Sequence, residues 1–309
     1  MLKYTLRRLL YMVVTLWIIV TVTFFLMKLL PGDPFGEAVL KLPPESLAII
    51  KAQYGLDKPV WQQYLTYLGH VVQGDLGVSY SFPTRSVVSV IKDAFPASFE
   101  LGLISLIFAI IVGLFLGIIA ALRHNKAGDY TASIIALIGI SIPSFVIGPL
   151  LSYFIGVKLR WLPPGLWLGP EHRVLPALAL SLGTIAILAR MMRASMLEVM
   201  GLDFIKTAKS KGLSRSTIVG KHMIRNAILP VVTILGPIAV NVLTGTLVVE
   251  KIFSVPGLGS QFVSSIYSND YTMITGLTLF YAAVLIIVMF LTDIVYGFVD
   301  PRIRLGKGK

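Results

Sequence analysis

Long apolar runs alternate with shorter polar ones along this chain. A helix rising 1.5 Å per residue needs about 20 apolar residues to cross roughly 30 Å of hydrocarbon. Six runs approach that length: Leu9 to Leu30, Leu101 to Leu122, Tyr130 to Val157, Val174 to Ala189, Ala227 to Val249, and Tyr271 to Thr292 continuing to about Val299. The first follows Lys3, Arg7 and Arg8 as a signal peptide would. It ends in Leu29-Leu30-Pro31-Gly32-Asp33 without small cleavage-site residues, so it reads as a retained anchor. The third contains Pro143 and Pro149, which remove backbone hydrogen bonds and predict a helix buried among others. The fourth is short, and extends only if the stem of Arg190 reaches back to the interface. The fifth carries Pro230, Pro237, Gly236 and Gly245.

Two polar intervals have structure of their own. Between runs one and two, Trp61, Tyr64, Leu65 and Leu68 repeat at helical spacing after Pro59, a residue suited to a first helical position. A shorter helix is expected from Pro44-Glu45 to Gly55. These helices either pack on the rim of the membrane domain or serve as a docking surface; periodicity favours neither. Between runs four and five, Leu202, Ile205 and Ala208 form an apolar stripe beside Lys206, Lys209 and Lys211. Gly212 suits a helix C-cap, and Ser214 suits the N-cap of a following helix with Ile218, Val219, His222 and Met223 on one face. The two short helices and their Gly turn make a compact exposed knob.

Composition agrees with the pattern. The chain is 56% hydrophobic and 14% charged, with mean hydropathy +0.83, where soluble domains carry about 25% charged residues. The fold class is therefore an all-α integral membrane protein with six transmembrane helices. The net charge of +12 reflects basic cytoplasmic loops and anionic lipid rather than nucleic acid. With the N-terminus inside, seventeen Lys and Arg fall on the cytoplasmic side, and only Lys158, Arg160, Arg173 and Lys251 fall in short outer loops. This gives an N-in, C-in topology. Residues 1–30 form the cytoplasmic N-terminus and first helix, and 31–100 a large extracytoplasmic segment. Residues 101–299 form a five-helix core carrying a cytoplasmic loop at about 193–226, and 300–309 a cytoplasmic tail.

Chemistry is sparse. There is no Cys, so no thiolate nucleophile or Cys-metal site. His70, His124, His172 and His222 are scattered without ligand spacing, so no metal site is expected. Asp293 lies inside the sixth run and reads as the partner of a basic neighbour, because proton relays need several such groups. No G-x-x-x-x-G-K-[ST] occurs, so this chain cannot cradle ATP phosphates in a P-loop, and any ATP energy would have to come from a partner.

The interval Asp203-Phe204-Ile205-Lys206-Thr207-Ala208-Lys209-Ser210-Lys211-Gly212-Leu213-Ser214, followed by His222, Asn226 and Pro230, resembles the EAA loop of bacterial ABC importer permeases in its peptide-permease form. The resemblance extends to Leu6-Arg7-Arg8, Phe24-Phe25, Pro31-Gly32-Asp33-Pro34, Tyr54-Gly55-Leu56 and Gly74-Asp75-Leu76-Gly77. Further along it includes Glu250 with Phe253, Pro256-Gly257-Leu258-Gly259, Asp270-Tyr271 and Asp300-Pro301-Arg302-Ile303-Arg304. It covers nearly the whole chain. The 70-residue outer segment is similar to that of the first permease subunit of oligopeptide and dipeptide systems. Lys206-Thr207-Ala208 stands where the general pattern has Glu-Ala-Ala.

The resemblance implies a permease subunit of an ATP-driven importer of oligopeptides or dipeptides in the bacterial inner membrane. Its implied partners are a second homologous permease, two ATP-binding subunits holding ATP and Mg, an extracytoplasmic peptide-binding protein, the peptide substrate and membrane lipid. The chain itself would hold no cofactor and no enzymatic site. ATPase coupling would fall to Asp203, Phe204, Lys206, Thr207, Ala208, Lys211, Gly212, Leu213 and Ser214. Glu250 with Pro256, Gly257 and Gly259 forms either an outer gate or a plain interfacial turn. Asn241 and Ser141, with Ser144, Thr184 and Thr244, either line a water-filled path or serve close helix packing. Two other classes compete. A secondary transporter driven by an ion gradient should show internal duplication and buried ion ligands, and an intramembrane enzyme should show a catalytic constellation; the sequence displays none of these.

Overall fold

The structure is a computed structural model and describes residues 2–29, 43–53, 55–82, 84–244 and 246–299. The Pro31-Gly32-Asp33-Pro34 motif, Tyr54, Gly245, Asp300 to Arg304 and the rest of the 300–309 tail lie outside the described residues, as does the side chain of Asp293.

Helix α1 spans Leu2–Leu29, α2 Pro44–Gln53 and α3 Val60–Val72. Helix α4, Val87–Leu122, is followed by α5, Ala127–Ser141, and α6, Ser144–Leu151, which continues into a π-helical turn, Ser152–Lys158. A 3₁₀ turn at Pro170–Arg173 leads into α7, Val174–Met200, and α8 covers Asp203–Ser210. A helical turn at Arg215–Thr217 passes through a π-helical turn, Ile218–Ile224, into α9, Arg225–Thr244. Helices α10, Leu247–Phe253, α11, Leu258–Tyr267, and α12, Tyr271–Val299, complete the chain.

Among the described residues five helices are long and apolar enough to cross a bilayer, or six if the bent pair at 127–158 counts as one span. The third run is thus two helices bent by 106° at the break that holds Pro143. Pro143 caps α6 in extended conformation because a proline at that point has no N–H to extend α5. The second run also starts earlier than its apolar limit: α4 begins at Val87 and includes Pro96. The sequence expectation placed residues 87–100 in the outer segment, since Lys92, Asp93 and Glu100 end the apolar run there. Charge limits hydrophobicity but not helicity, so a helix can outlast its span. Pro59 is the N-cap of α3 rather than its first residue.

The chain divides into two compact units. One comprises Met1–Ala97 with Pro256–Ile286. In it, α3 packs along the last turns of α1: Phe24 stacks on Tyr67 with ring centroids 5.8 Å apart, and Thr21 Oγ1 and the Tyr64 hydroxyl lie 2.6 Å apart. A second part of its core gathers Val87, Val90, Ile91 and Ala94 of α4 with Leu258, Met273 and Leu277. Asp270, almost fully buried, ties the two halves of this unit. Its carboxylate accepts from the Ser79 hydroxyl and from the backbone N–H of Tyr80 at 3.2 Å, and caps α12 through Met273 N at 3.1 Å.

The other unit comprises Ser98–Val255 with Ile287–Lys309. Its axis is α7, half of whose span is buried. Helix α4 approaches it so closely that a Cβ on Gly117 would sit 2.6 Å from the carbonyl oxygen of Ala189, and Gly139 of α5 meets Leu182 in the same way at 2.7 Å. In lipid, where burial of apolar surface gives helices little reason to associate, small residues at crossings provide the van der Waals contact that holds a bundle together. The core of this unit runs through Leu188, Met192 and Met196 of α7 to Ile205, Ala208, Ile218 and Met223.

Candidate functional site

The loop between α7 and α9 grows from the core just described. Helix α8 has Leu202 as its N-cap and Asp203 in its first turn, where a carboxylate suits the positive end of the helix. Asp203 also pairs with Lys206 at 2.8 Å, but both side chains are largely exposed and the pair contributes little. The helix ends in a Schellman arrangement: Gly212 N–H donates to Lys209 O at 3.0 Å and Leu213 N–H to Ala208 O at 3.3 Å, with Gly212 at φ +72°. Only glycine takes that backbone conformation without cost. Ser214 then caps the next turn, accepting a hydrogen bond from Thr217 N–H at 3.3 Å.

The two faces of α8 differ in fate. Ile205 and Ala208 are buried in the cluster formed with Met196, Ile218 and Met223. Ala208 therefore faces the bundle, not the outside; of the apolar stripe, Ile205 and Ala208 anchor the helix while Leu202 is 45% exposed. The outward face consists of Asp203, Phe204, Lys206, Thr207 and Lys211, continued by Gly212, Leu213 and Ser214, all exposed. Phe204 at 40% and Leu213 at 39% are apolar side chains in the open within a basic surface. An exposed aromatic beside cations has the composition of a protein-docking patch.

At the root of this loop Arg193 of α7 binds Asp129 of α5 by two hydrogen bonds, Nε to Oδ1 at 2.6 Å and Nη2 to Oδ2 at 2.9 Å. Asn125 N–H donates to the same carboxylate at 2.9 Å, and His124 Nδ1 lies 3.2 Å from it. In the sequence neither Arg193 nor His124 has an evident partner. The one available sign was Asp129, an acid one residue before a long apolar run.

The remaining candidates are divided between the two units. Glu250 is fully buried in α10, where its carbonyl accepts from Val255 N–H at 2.9 Å. Pro256, Gly257 and Gly259 belong to the other unit, where Gly257 is the N-cap of α11 and Gly259 is buried. Ser141 and Asn241 are exposed, the first on the last residue of α5 and the second on α9, while Thr184 is buried in α7. Among the described residues no group of three or more His, Asp or Glu is placed to hold a metal ion.

Comparison with known proteins gives this arrangement a family. The family model described as binding-protein-dependent transport system inner membrane component matches residues 113–305, and its N-terminal companion matches 1–102. A dipeptide transport system permease protein of Bacillus subtilis is 46% identical over 99% of both chains. An oligopeptide transport system permease protein of Haemophilus influenzae is 41% identical over 98% of this chain and all of its own. Among solved structures, the inward-facing methionine ABC transporter superposes with a TM-score of 0.58 at 19% identity, covering 69% of this chain and 97% of that one. An amino acid ABC transporter gives 0.52 at 16% identity, covering 70% and 95%. These two share the fold. From the loop anchored on α7, the family-model matches and the near full-length similarity to permeases, we conclude that this chain belongs to the binding-protein-dependent transport system inner membrane component family.

Proposed function

We propose that this chain is a transmembrane permease subunit of an ATP-driven importer that carries oligopeptides or dipeptides into the cytoplasm. The observation that carries the reading is α8: a short helix clamped to the bundle core by Ile205 and Ala208, with Phe204, Lys211 and Leu213 left on its outward face. A rigid helix so anchored transmits displacement to the core it sits on, which is what a coupling element has to do. Near full-length similarity to dipeptide and oligopeptide permeases supports the substrate class.

In this reading the chain crosses the bacterial inner membrane six times, the bent pair α5 and α6 counting once, with both termini in the cytoplasm. The basic loop between α7 and α9 is then cytoplasmic, as the distribution of Lys and Arg favours. Two ATP-binding subunits, which hold ATP and Mg²⁺, dock on Asp203, Phe204, Lys206, Thr207, Lys211, Gly212, Leu213 and Ser214. Ala208 keeps that surface in place from behind. A second homologous permease completes the translocation path, to which Ser141 and Asn241 contribute. Peptide arrives from an extracytoplasmic binding protein, and Glu250 with the Pro256, Gly257 and Gly259 turn closes the outer side.

The test is reconstitution. The chain is placed in proteoliposomes with its second permease, ATP-binding subunits and binding protein, and uptake of a labelled tripeptide is measured. Uptake that requires MgATP is expected. Uptake by the chain alone on a proton or sodium gradient would overturn the reading.

A further inference from the structure

The unit formed by Met1–Ala97 and Pro256–Ile286 contains a cavity of about 480 Å³ beside the end of α1. That is the size of cavities that enclose small ligands, roughly 300–1,000 Å³. Lys28 supplies a positive charge on its wall. The ammonium is aimed by Gln63, whose Oε1 accepts from it at 2.6 Å while Gln63 Nε2 donates to Lys58 O at 2.7 Å. Lys28 also lies over the Phe24 ring at 5.7 Å. Gln63 is neutral, so it fixes the cation without neutralising it, and among the described residues two of the three ammonium donors remain.

Tyr67 stacks on the same Phe24 ring, and its hydroxyl is buried with no hydrogen-bond partner among the described residues. Burial pushes this hydroxyl above the ordinary phenol range, so it remains a proton donor. A buried donor with no acceptor carries a desolvation cost that an acceptor entering the cavity would remove. Asp75 lines the cavity as well. Its Oδ1 is held by Gly77 N–H at 2.9 Å and its Oδ2 lies 3.0 Å from His70 Nδ1, which orients a carboxylate on the wall.

We infer that this cavity is a binding site for a short zwitterionic peptide, whose terminal carboxylate is held by Lys28 and Tyr67 and whose ammonium faces Asp75. The site rests on the transport reading above and adds to it a place on this chain that recognises peptide ends rather than side chains. Recognition by ends suits a substrate whose side chains vary, because every free peptide carries the same two termini. The headgroup of phosphatidylethanolamine presents the same pair of charges, with phosphate in place of carboxylate, so the experiment has to separate the two sources.

The assembled complex, without its binding protein, is placed in phosphatidylcholine nanodiscs, and saturation binding of labelled trialanine is measured. Loss of a charge-assisted hydrogen bond corresponds to about a tenfold change in affinity. Trialanine amide and the Lys28→Gln complex should therefore each bind about tenfold more weakly than their references. Tyr67→Phe removes only the hydroxyl, keeps the ring packed on Phe24, and should weaken binding severalfold.

Equal binding by wild type, Lys28→Gln and Tyr67→Phe would overturn the site, as would equal binding of trialanine and its amide. Abolition of trialanine binding in phosphatidylethanolamine nanodiscs would assign the cavity to lipid and likewise overturn it. Uptake driven by MgATP in the complete system tests the transport reading separately. Uptake without Lys28-dependent binding rejects the site alone, and failure of uptake rejects the reading on which it rests.

Discussion

Arg193 and Asp129 form a two-pronged ion pair between α7 and the first turn of α5, with the carboxylate almost wholly buried and the guanidinium partly open to solvent. The fork of Arg matches both carboxylate oxygens, and Asn125 N–H and His124 close the remaining side. Asn125 itself turns the chain with φ +58°, so the carboxylate also stabilises the bend between α4 and α5. The pair therefore fixes three elements at the root of the loop that leads to α8.

Arg193→Ala leaves the Asp129 carboxylate buried without its guanidinium partner. A loss of about 3 kcal/mol is expected, because breaking a buried pair from one side costs more than the pair itself provides. Thermal unfolding in detergent measures it. The double replacement Arg193→Ala with Asp129→Ala should cost less than the sum of the single ones; strict additivity would mean that the two groups do not interact.

Gly117→Val places a branched side chain where a Cβ alone would meet the Ala189 carbonyl oxygen at 2.6 Å. Helices α4 and α7 must separate, at a cost of about 1–3 kcal/mol. Reduced resistance to unfolding in detergent is expected, and Gly117→Ala should show the same effect more weakly. An unchanged transition for Gly117→Val would show that this crossing is not close in the folded protein.

Phe204→Ala and Ala208→Glu separate docking from folding. Phe204 is outward, so Phe204→Ala should leave thermal stability unchanged and reduce co-purification of the ATP-binding subunits. Ala208 is 5% exposed, and Ala208→Glu would bury a carboxylate in an apolar cluster. That variant should melt earlier even without partners. Normal ATPase association by Phe204→Ala would remove this face of α8 from the interface.

Asp270→Ala removes the cap of α12 and leaves the Ser79 hydroxyl and Tyr80 N–H without their acceptor. The expected loss is about 2 kcal/mol, a lost cap together with buried donors left unmet. Asp270→Asn keeps an acceptor oxygen and should lose less. Protease accessibility of the 79–82 segment, with thermal unfolding, distinguishes the two variants.

The position of the spans was legible because hydrophobic length is a property of consecutive residues. Helices α2 and α3, the Gly212 turn and the Ser214 cap were legible for the same reason, since each depends on residues within one or two turns. The start of α4 at Val87 was not, because Lys92, Asp93 and Glu100 end the apolar run before the helix ends. The 106° bend between α5 and α6 was legible as a break at Pro143 but not as an angle. Periodicity identified a stripe at Leu202, Ile205 and Ala208, yet it could not say which side of α8 met the bundle.

The order of residues alone determined a multi-pass, all-helical membrane protein, its basic loops and the motif that marks its family, because hydropathy, charge and short motifs act locally. Tertiary structure decided the rest. It paired Asp129 with Arg193 across 64 positions, Thr21 with Tyr64 across 43 and Ser79 with Asp270 across 191. It also turned Ala208 inward and brought Lys28 and Tyr67 to one cavity wall. Such partners are chosen by which helix faces come into contact, and no pattern within a single helix encodes its neighbour.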